Sequence, residues 1–521
     1  MKKWVKRFLT VACAALLIAF LLPAFDGSGK AQAASTGVVS CLIQGNNVAV
    51  TNACAAGDDG LVHIYAQYPF QGKAQGREVA QAAPGAAVTV PLGLNTANSV
   101  LYSKFQAVVV KGGHLKAVGN PKYITNPEAV AKHTTARHDA GKKGILPSAT
   151  ALGGNQLTDL GIKQITYNLN LGDLTSGGGV NYTYNGKTYS FNSSIVSQYD
   201  ILVPMMNKKG IQLNMILLNN LGSNPNMIHP WSRDFTGANY YAFNTYDQAG
   251  CDLLEAVASF LGERYSGNGH GTIDNWIIGN EVNARQEWNY MNAGVGIDKF
   301  SHEYAKAVRI FYNAIRAQNA NARVMASVDQ EWAVADGPAH YGAKPFLEKF
   351  NSFMKAQGNI DWDVATHPYN FPLYDPAAWT MTSKPQVTHT QASRYITMQN
   401  VDVFTDFMCQ KALLAPNGTV RHIVCSECGY TSVGGNEQKQ AASIVFAYVQ
   451  AMNNKYIDGF ILNREQDAAE EIAQGLAYGV TGTDGSHKLS YDWYKTADTA
   501  ATQAAASAVM GADLSTLITV R

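Results

Sequence analysis

Two glutamates carry the clearest chemical signal in this sequence. Glu281 stands in the run Ile278-Gly279-Asn280-Glu281-Val282-Asn283, and Glu427 in Val424-Cys425-Ser426-Glu427-Cys428-Gly429-Tyr430. Each closes a short apolar stretch, where a buried strand hands over to a loop. A pair of carboxylates in unlike surroundings is the equipment of glycoside hydrolysis. One stays protonated near neutral pH and donates to the leaving oxygen, while the other is ionised and attacks the sugar. A separation of about 5 to 5.5 Å between them implies retention through a covalent intermediate. Either glutamate alone reads better as a solvated loop charge; the pair at matching strand ends carries the reading. A third run, Ala365-Thr366-His367-Pro368-Tyr369-Asn370, brings a histidine and a tyrosine to an equivalent strand end.

These residues need a scaffold that gathers strand ends at one mouth. Residues 144–147, 161–167, 211–218, 276–279, 323–328, 362–366, 422–425 and 456–462 each read as a short apolar strand, as parallel strands buried on both faces should. Amphipathic helical stretches lie between them, notably 246–264, 301–318, 401–414 and 438–453. Eight such units predict an α/β fold, a (β/α)8 TIM barrel, with reactive groups where strands end and loops begin. An open doubly wound sheet is the alternative, but no Gly-rich phosphate loop follows an early strand. Before the barrel, segments 38–43, 48–51, 61–68, 87–92 and 105–111 alternate and are separated by turn clusters such as Gly45-Asn46-Asn47. They predict a small N-terminal β-sandwich. The expected division is a leader over 1–33, the sandwich over 36–125 and the barrel over 126–521.

In the barrel numbering, Glu281 follows strand four, His367 and Tyr369 strand six, and Glu427 strand seven. With that order the chain resembles glycoside hydrolase clan A, the retaining barrels with glutamates after strands four and seven. By that resemblance Glu281 is the acid/base and Glu427 the nucleophile. Asn280 binds the hydroxyl next to the anomeric carbon, and Tyr369, in the His367-x-Tyr369 motif, hydrogen-bonds the nucleophile. Two positions depart from the clan. The stretch Ile461-Leu462-Asn463-Arg464-Glu465-Gln466 ending strand eight has no Trp to floor the subsite, and Tyr167-Asn168-Leu169-Asn170 ending strand two has no Arg. Arg464 or Glu465 either contacts a charged sugar or forms a structural ion pair. The whole chain also resembles an uncharacterised family of secreted bacterial two-domain proteins.

Further candidates lie on the same face. Trp231 after strand three, Trp288 after strand four and Trp332 in Asp329-Gln330-Glu331-Trp332 after strand five offer planes for a sugar ring, or else pin their own loops, and the last segment also offers a subsite carboxylate. Residues 158–192, rich in Gly, Tyr and Asn, read as a loop of the same kind after strand two. Asp173 and Asp234 read as solvated loop charges. In the sandwich, Tyr65, Tyr68 and Phe70 cluster near one strand end. Cys41 and Cys54 flank a turn and are spaced to pair, and Cys409, Cys425 and Cys428 are close enough in sequence to contain a second pair. The Cys425-x-x-Cys428 spacing suits redox or zinc work, yet a single such pair without a histidine set is a poor zinc site. No metal and no cofactor are expected.

The composition narrows the partners. The 521 residues carry 40 Lys+Arg against 39 Asp+Glu, a net charge of +1, and only 15% charged residues. That balance excludes the basic excess by which nucleic-acid binders displace counterions. Lys2, Lys3, Lys6 and Arg7 precede an apolar run to Leu22, with Ala31-Gln32-Ala33 beyond. This is the layout of a cleaved secretory signal, and the run falls short of the roughly 20 residues that span a bilayer. Cleavage after Ala33 removes five basic residues and Asp26, leaving a net charge of about −3. The expected protein is secreted and extracellular, has no membrane span once processed, and acts on an oligo- or polysaccharide. The rival reading is a barrel that binds carbohydrate without catalysis, which the missing strand-eight Trp favours. A redox protein using Cys425 and Cys428 is a third.

Overall fold

The computed structural model describes residues 36–139 and 141–521. The leader-like segment 1–33, with Cys13, lies outside the described residues.

Residues 36–123 form two antiparallel sheets. One has the strand order Gly37–Gln44, Asn47–Ala53, Ala87–Pro91; the other runs Arg77–Ala82, Val62–Gln67, Lys104–Lys111, His114–Tyr123. Val48, Val50, Ile64, Phe105 and Ala107 are fully buried in the core that these strands share. Two strands, Arg77–Ala82 and His114–Tyr123, have no counterpart in the sequence reading. Each buries a single residue, so neither shows the apolar alternation that marks a half-buried strand. Cys41 is an unbridged buried thiol that donates to the Lys122 carbonyl at 3.6 Å, so the expected Cys41–Cys54 pairing does not form.

The remaining chain closes a parallel barrel. Its strands are Lys143–Ile145, Gln164–Asn170, Gln212–Leu218, Asn275–Ile278, Arg323–Val328, Asp363–Thr366, Ile423–Cys428 and Ile457–Leu462, referred to below as strands one to eight. Strand eight pairs with strand one, which closes the cylinder. Its interior is filled rather than hollow: Ile216, Ile277, Met325, Ala365, Val424 and Ile461 make one buried cluster. All eight predicted strands occupy their predicted places. Helices Gln248–Arg264, Gly296–Arg316 and Glu437–Met452 match the amphipathic stretches, whereas the helix at 401 ends at Met408. Residues 158–192 are more ordered than a loop. They hold strand two, a one-turn helix Leu171–Leu174, and a hairpin of Gly179–Tyr184 with Lys187–Asn192. Asn185 and Gly186 join its strands with φ of +46° and +76°. That is the conformation for which Asn-Gly is the preferred hairpin turn, so the signal was present in the sequence.

The sandwich meets the barrel along helices rather than at the strand ends. Tyr102 Oη lies 2.6 Å from Ser259 Oγ, Asn313 donates to the Leu101 carbonyl at 2.8 Å, and Lys122 donates to the Ala356 carbonyl at 2.6 Å. Tyr68 stacks on Phe70 and accepts a hydrogen bond from Gln248. Among the described residues, no helix is long and apolar enough to cross a membrane.

Candidate active site

Local backbone geometry aims both glutamates into the mouth. After strand four the chain turns through Gly279 at φ +75° and Glu281 at φ +40°. A side chain at Gly279 would meet Val282 at 3.0 Å. The left-handed conformation at a residue other than glycine costs about 1–2 kcal/mol. At Glu281 it is held by the backbone N–H, which donates to Ser327 Oγ at 3.0 Å. In strand seven the ladder with strand eight shifts register between Cys425 and Cys428. Such an irregularity re-aims a side chain, here Glu427. Thr166 of strand two donates to the Ser426 carbonyl at 3.1 Å and pins the shift. Gly429 follows because a Cβ there would lie 2.5 Å from the Asn463 carbonyl.

The two carboxylates converge on one histidine. His367 is fully buried; its Nδ1 lies 2.7 Å from Glu281 Oε1 and 3.8 Å from Glu427 Oε2. Burial by itself would depress the imidazole, but Glu427 and Glu281 outweigh it and hold His367 at about 9. Tyr369 donates to Glu427 Oε2 at 3.0 Å, and burial keeps it a neutral phenol. Burial raises the Glu427 carboxyl, which His367 pulls down and Glu281 pushes up. Both glutamates remain reachable, with side chains 16% and 18% exposed. Asn280 is buried beside them, and its Oδ1 has no partner within the described chain.

Behind Glu281 lies a second acidic group that the sequence reading only partly anticipated. Asp329 accepts from Asn283 and from the Glu331 N–H. Glu331 pairs with His340 at 3.1 Å, and His340 pairs with Glu287 at 2.7 Å. Burial and the Glu281 charge push the Asp329 carboxyl well up. The Glu331 hydrogen bond, against burial, holds His340 at about 9. Atoms of Asp329, Glu331 and His340 lie within 4.8 Å of one another. Asp329 Oδ1, both Glu331 oxygens and both His340 nitrogens already bond within the chain. His340 has no motif around it that would have singled it out.

The aromatic candidates separate. Trp288 is half-buried and stacks on Tyr240 at 5.7 Å; the Tyr240 phenol, raised first by burial, also feels Glu427. Trp231 packs against His229 and Tyr246, with Lys299 over its ring. Trp332 does not offer a plane to a ligand. It is 1% exposed and wedged against Phe404 and Phe407, so it serves packing, and the expectation that it touches substrate is corrected. Trp332→Ala is expected to cost about 3–5 kcal/mol of stability. Urea unfolding checks this. Asp234 is exposed as expected, while Asp173 is half-buried and accepts from Asn220 at 2.9 Å. Arg464 takes the ion-pair option, with Glu471 at 3.0 Å, and Glu465 turns inward to the Ser148 N–H and Thr481. Cys425 and Cys428 are buried and unbridged, and burial pushes the Cys425 thiol up to about 12, opposite to what a redox thiol needs.

A family described as a family of unknown function (DUF5722) matches residues 135–514. No curated protein matches the chain. Among solved structures, a family 39 glycoside hydrolase from Bacteroides cellulosilyticus aligns at 14% identity and TM-score 0.46, covering 87% of this chain and 79% of that one. A glucosidase from Croceicoccus marinus aligns at 15% identity and TM-score 0.45, covering 71% and 69%. An exo-β-1,4-mannosidase from an Opitutaceae bacterium aligns at 14% identity and TM-score 0.43, covering 72% and 63%.

Proposed function

This chain belongs to the DUF5722 family, and we propose that it is a retaining glycoside hydrolase acting on a β-linked oligo- or polysaccharide. The observation that carries the reading is the convergence of Glu281 and Glu427 on His367. Distances of 2.7 and 3.8 Å from one nitrogen place these two carboxylate oxygens at most about 6.5 Å apart. That ceiling, set on one oxygen of each group, accommodates the short separation of double displacement.

The chemistry follows from the contacts. Glu427, ionised and held through Oε2 by Tyr369, attacks the anomeric carbon with its other oxygen. As the glycosidic bond breaks, Glu281 protonates the departing oxygen, and Glu427 becomes a glycosyl ester. Water then attacks the same carbon while Glu281 takes its proton, and the ester bond to Glu427 breaks. His367 Nδ1, 2.7 Å from Glu281 Oε1, holds the acid/base carboxyl in place. The β-linked substrate class comes from the clan resemblance.

A cyclophellitol-type epoxide tests the assignment. Covalent labelling is expected on the peptide containing Glu427, read by mass spectrometry. Absence of a label on folded protein sinks the reading and favours the rival, a carbohydrate-binding barrel without catalysis. Export is part of the proposal, resting on the leader-like segment. Amino-terminal sequencing of protein from the culture medium is expected to begin after Ala33.

His367 makes a pH prediction. Replacing it with Gln removes a cation that lowers Glu427. The acidic limb of kcat/KM is expected to move to higher pH, because more alkaline conditions are then needed to ionise the nucleophile. Stability changes too. The folded-state value of about 9 exceeds the ordinary 6.5, so His367 stabilises fully below pH 6.5 and loses that contribution as pH rises through 9. His367→Gln should flatten stability across that window, measured by urea midpoints.

A further inference from the structure

We propose that Asn463 and Arg464, at the strand-eight end where the clan often places a Trp, are positioning residues that set the direction of the Tyr369 phenol proton toward Glu427. The inference rests on the glycosidase reading and adds to it a device absent from the sequence comparison. Four contacts run in series. Glu471 Oε1 meets Arg464 Nη2 at 3.0 Å, Arg464 Nε donates to Asn463 Oδ1 at 3.3 Å, Asn463 Nδ2 donates to Tyr369 Oη at 2.8 Å, and Tyr369 donates to Glu427 Oε2 at 3.0 Å.

Each step constrains the next. A guanidinium has donors and no acceptor, so Asn463 must turn its oxygen to Arg464 and its NH2 to Tyr369. An NH2 group only donates, so the phenol oxygen is occupied as an acceptor and its single proton goes to Glu427. A phenol fixed as donor favours the ionised carboxylate that the attack requires, and Arg464 adds its charge from the same side. Without Arg464 the Asn463 amide is free to flip, and the phenol proton with it.

The loop after strand eight has other anchors, so Arg464 is not what holds it folded. Glu465 N–H donates to the Leu146 carbonyl at 2.9 Å, Asp467 accepts from the Gly479 N–H at 2.7 Å, and Lys488 pairs with Asp467 at 2.6 Å. The ionisable groups around Glu427 come from several elements: Glu281 after strand four, His367 and Tyr369 after strand six, Arg464 and Glu471 after strand eight, and Tyr240 after strand three. Of the cations, His367 lies between the glutamates, while Arg464 acts from the opposite end of the tyrosine.

Two variants separate positioning from packing. Asn463→Asp keeps the shape but supplies an ionised acceptor, which draws the phenol proton away from Glu427; Asn463→Ala only removes the donor. The expected order of kcat/KM is wild type, then Asn463→Ala, then Asn463→Asp, with losses of about 10- to 100-fold. A packing role predicts the reverse order for the two variants. Arg464→Met is expected to raise the Glu427 titration midpoint by about 0.5 to 1 pH unit, seen both in the acidic limb of the rate profile and by carbon-13 NMR of labelled glutamate assigned with Glu427→Gln. The NMR readout needs no turnover. If wild type is inactive and unlabelled by the epoxide, the glycosidase reading falls while the midpoint still judges the relay. If wild type is active but the reverse order appears, or the folded Arg464→Met protein keeps the wild-type midpoint, the relay is wrong.

Discussion

Glu427→Gln lowers kcat by on the order of 10⁴-fold or more on every glycoside substrate, because the attacking oxygen is lost and no other carboxylate occupies its place. The amide is nearly isosteric, and its oxygen still accepts from Tyr369, so the effect falls on chemistry rather than on folding. Stability is expected to hold or rise near neutral pH. Burial raises the Glu427 carboxyl, so the wild-type glutamate stabilises most when protonated and loses that contribution as pH rises through its folded value. The neutral Gln has no such loss. Thermal unfolding at pH 7 beside initial rates checks both halves: a variant that retains activity, or one that is inactive only because it is unfolded, contradicts the assignment.

Glu281→Gln has a different signature. Loss of a general acid costs about 10²- to 10⁴-fold when the leaving group needs a proton. An aryl glycoside whose phenol leaves readily as an anion should form the glycosyl–Glu427 ester at a rate much closer to wild type, and then stall because no base activates water. Added azide, a nucleophile needing no base, should restore turnover and yield a β-glycosyl azide. A burst of released phenol followed by azide rescue identifies Glu281 as acid/base. Equal loss on substrates with good and poor leaving groups, without rescue, refutes that role.

The barrel was legible because its strands are short, continuous and apolar, the pattern burial on both faces imposes. The sandwich was legible only where one face is buried. Arg77–Ala82 and His114–Tyr123 are held by ladder hydrogen bonds to better-buried neighbours, and backbone pairing leaves no mark on side-chain pattern. At the site, Glu281 and Glu427 were readable because strand ends can be counted along the chain. Trp332 was misplaced because a Trp after a strand looks the same whether its ring faces the mouth or two phenylalanines of the helix after strand six.

From the sequence alone came the number and order of the barrel strands, the two glutamates and the His367-x-Tyr369 motif, since each depends on local composition and on distance along the chain. Only the tertiary structure decided which groups surround them. Asn463 lies 94 positions from Tyr369, and His367 lies 86 from Glu281, yet each pair meets within a hydrogen bond. Closing a barrel makes neighbours of residues that the chain keeps apart, and the protonation and direction of every group in the mouth depend on those neighbours rather than on sequence position. The sequence shows a near balance of charge, 40 Lys+Arg against 39 Asp+Glu. The arrangement of a few of those charges, two carboxylates and one buried imidazole, is what the folded barrel adds.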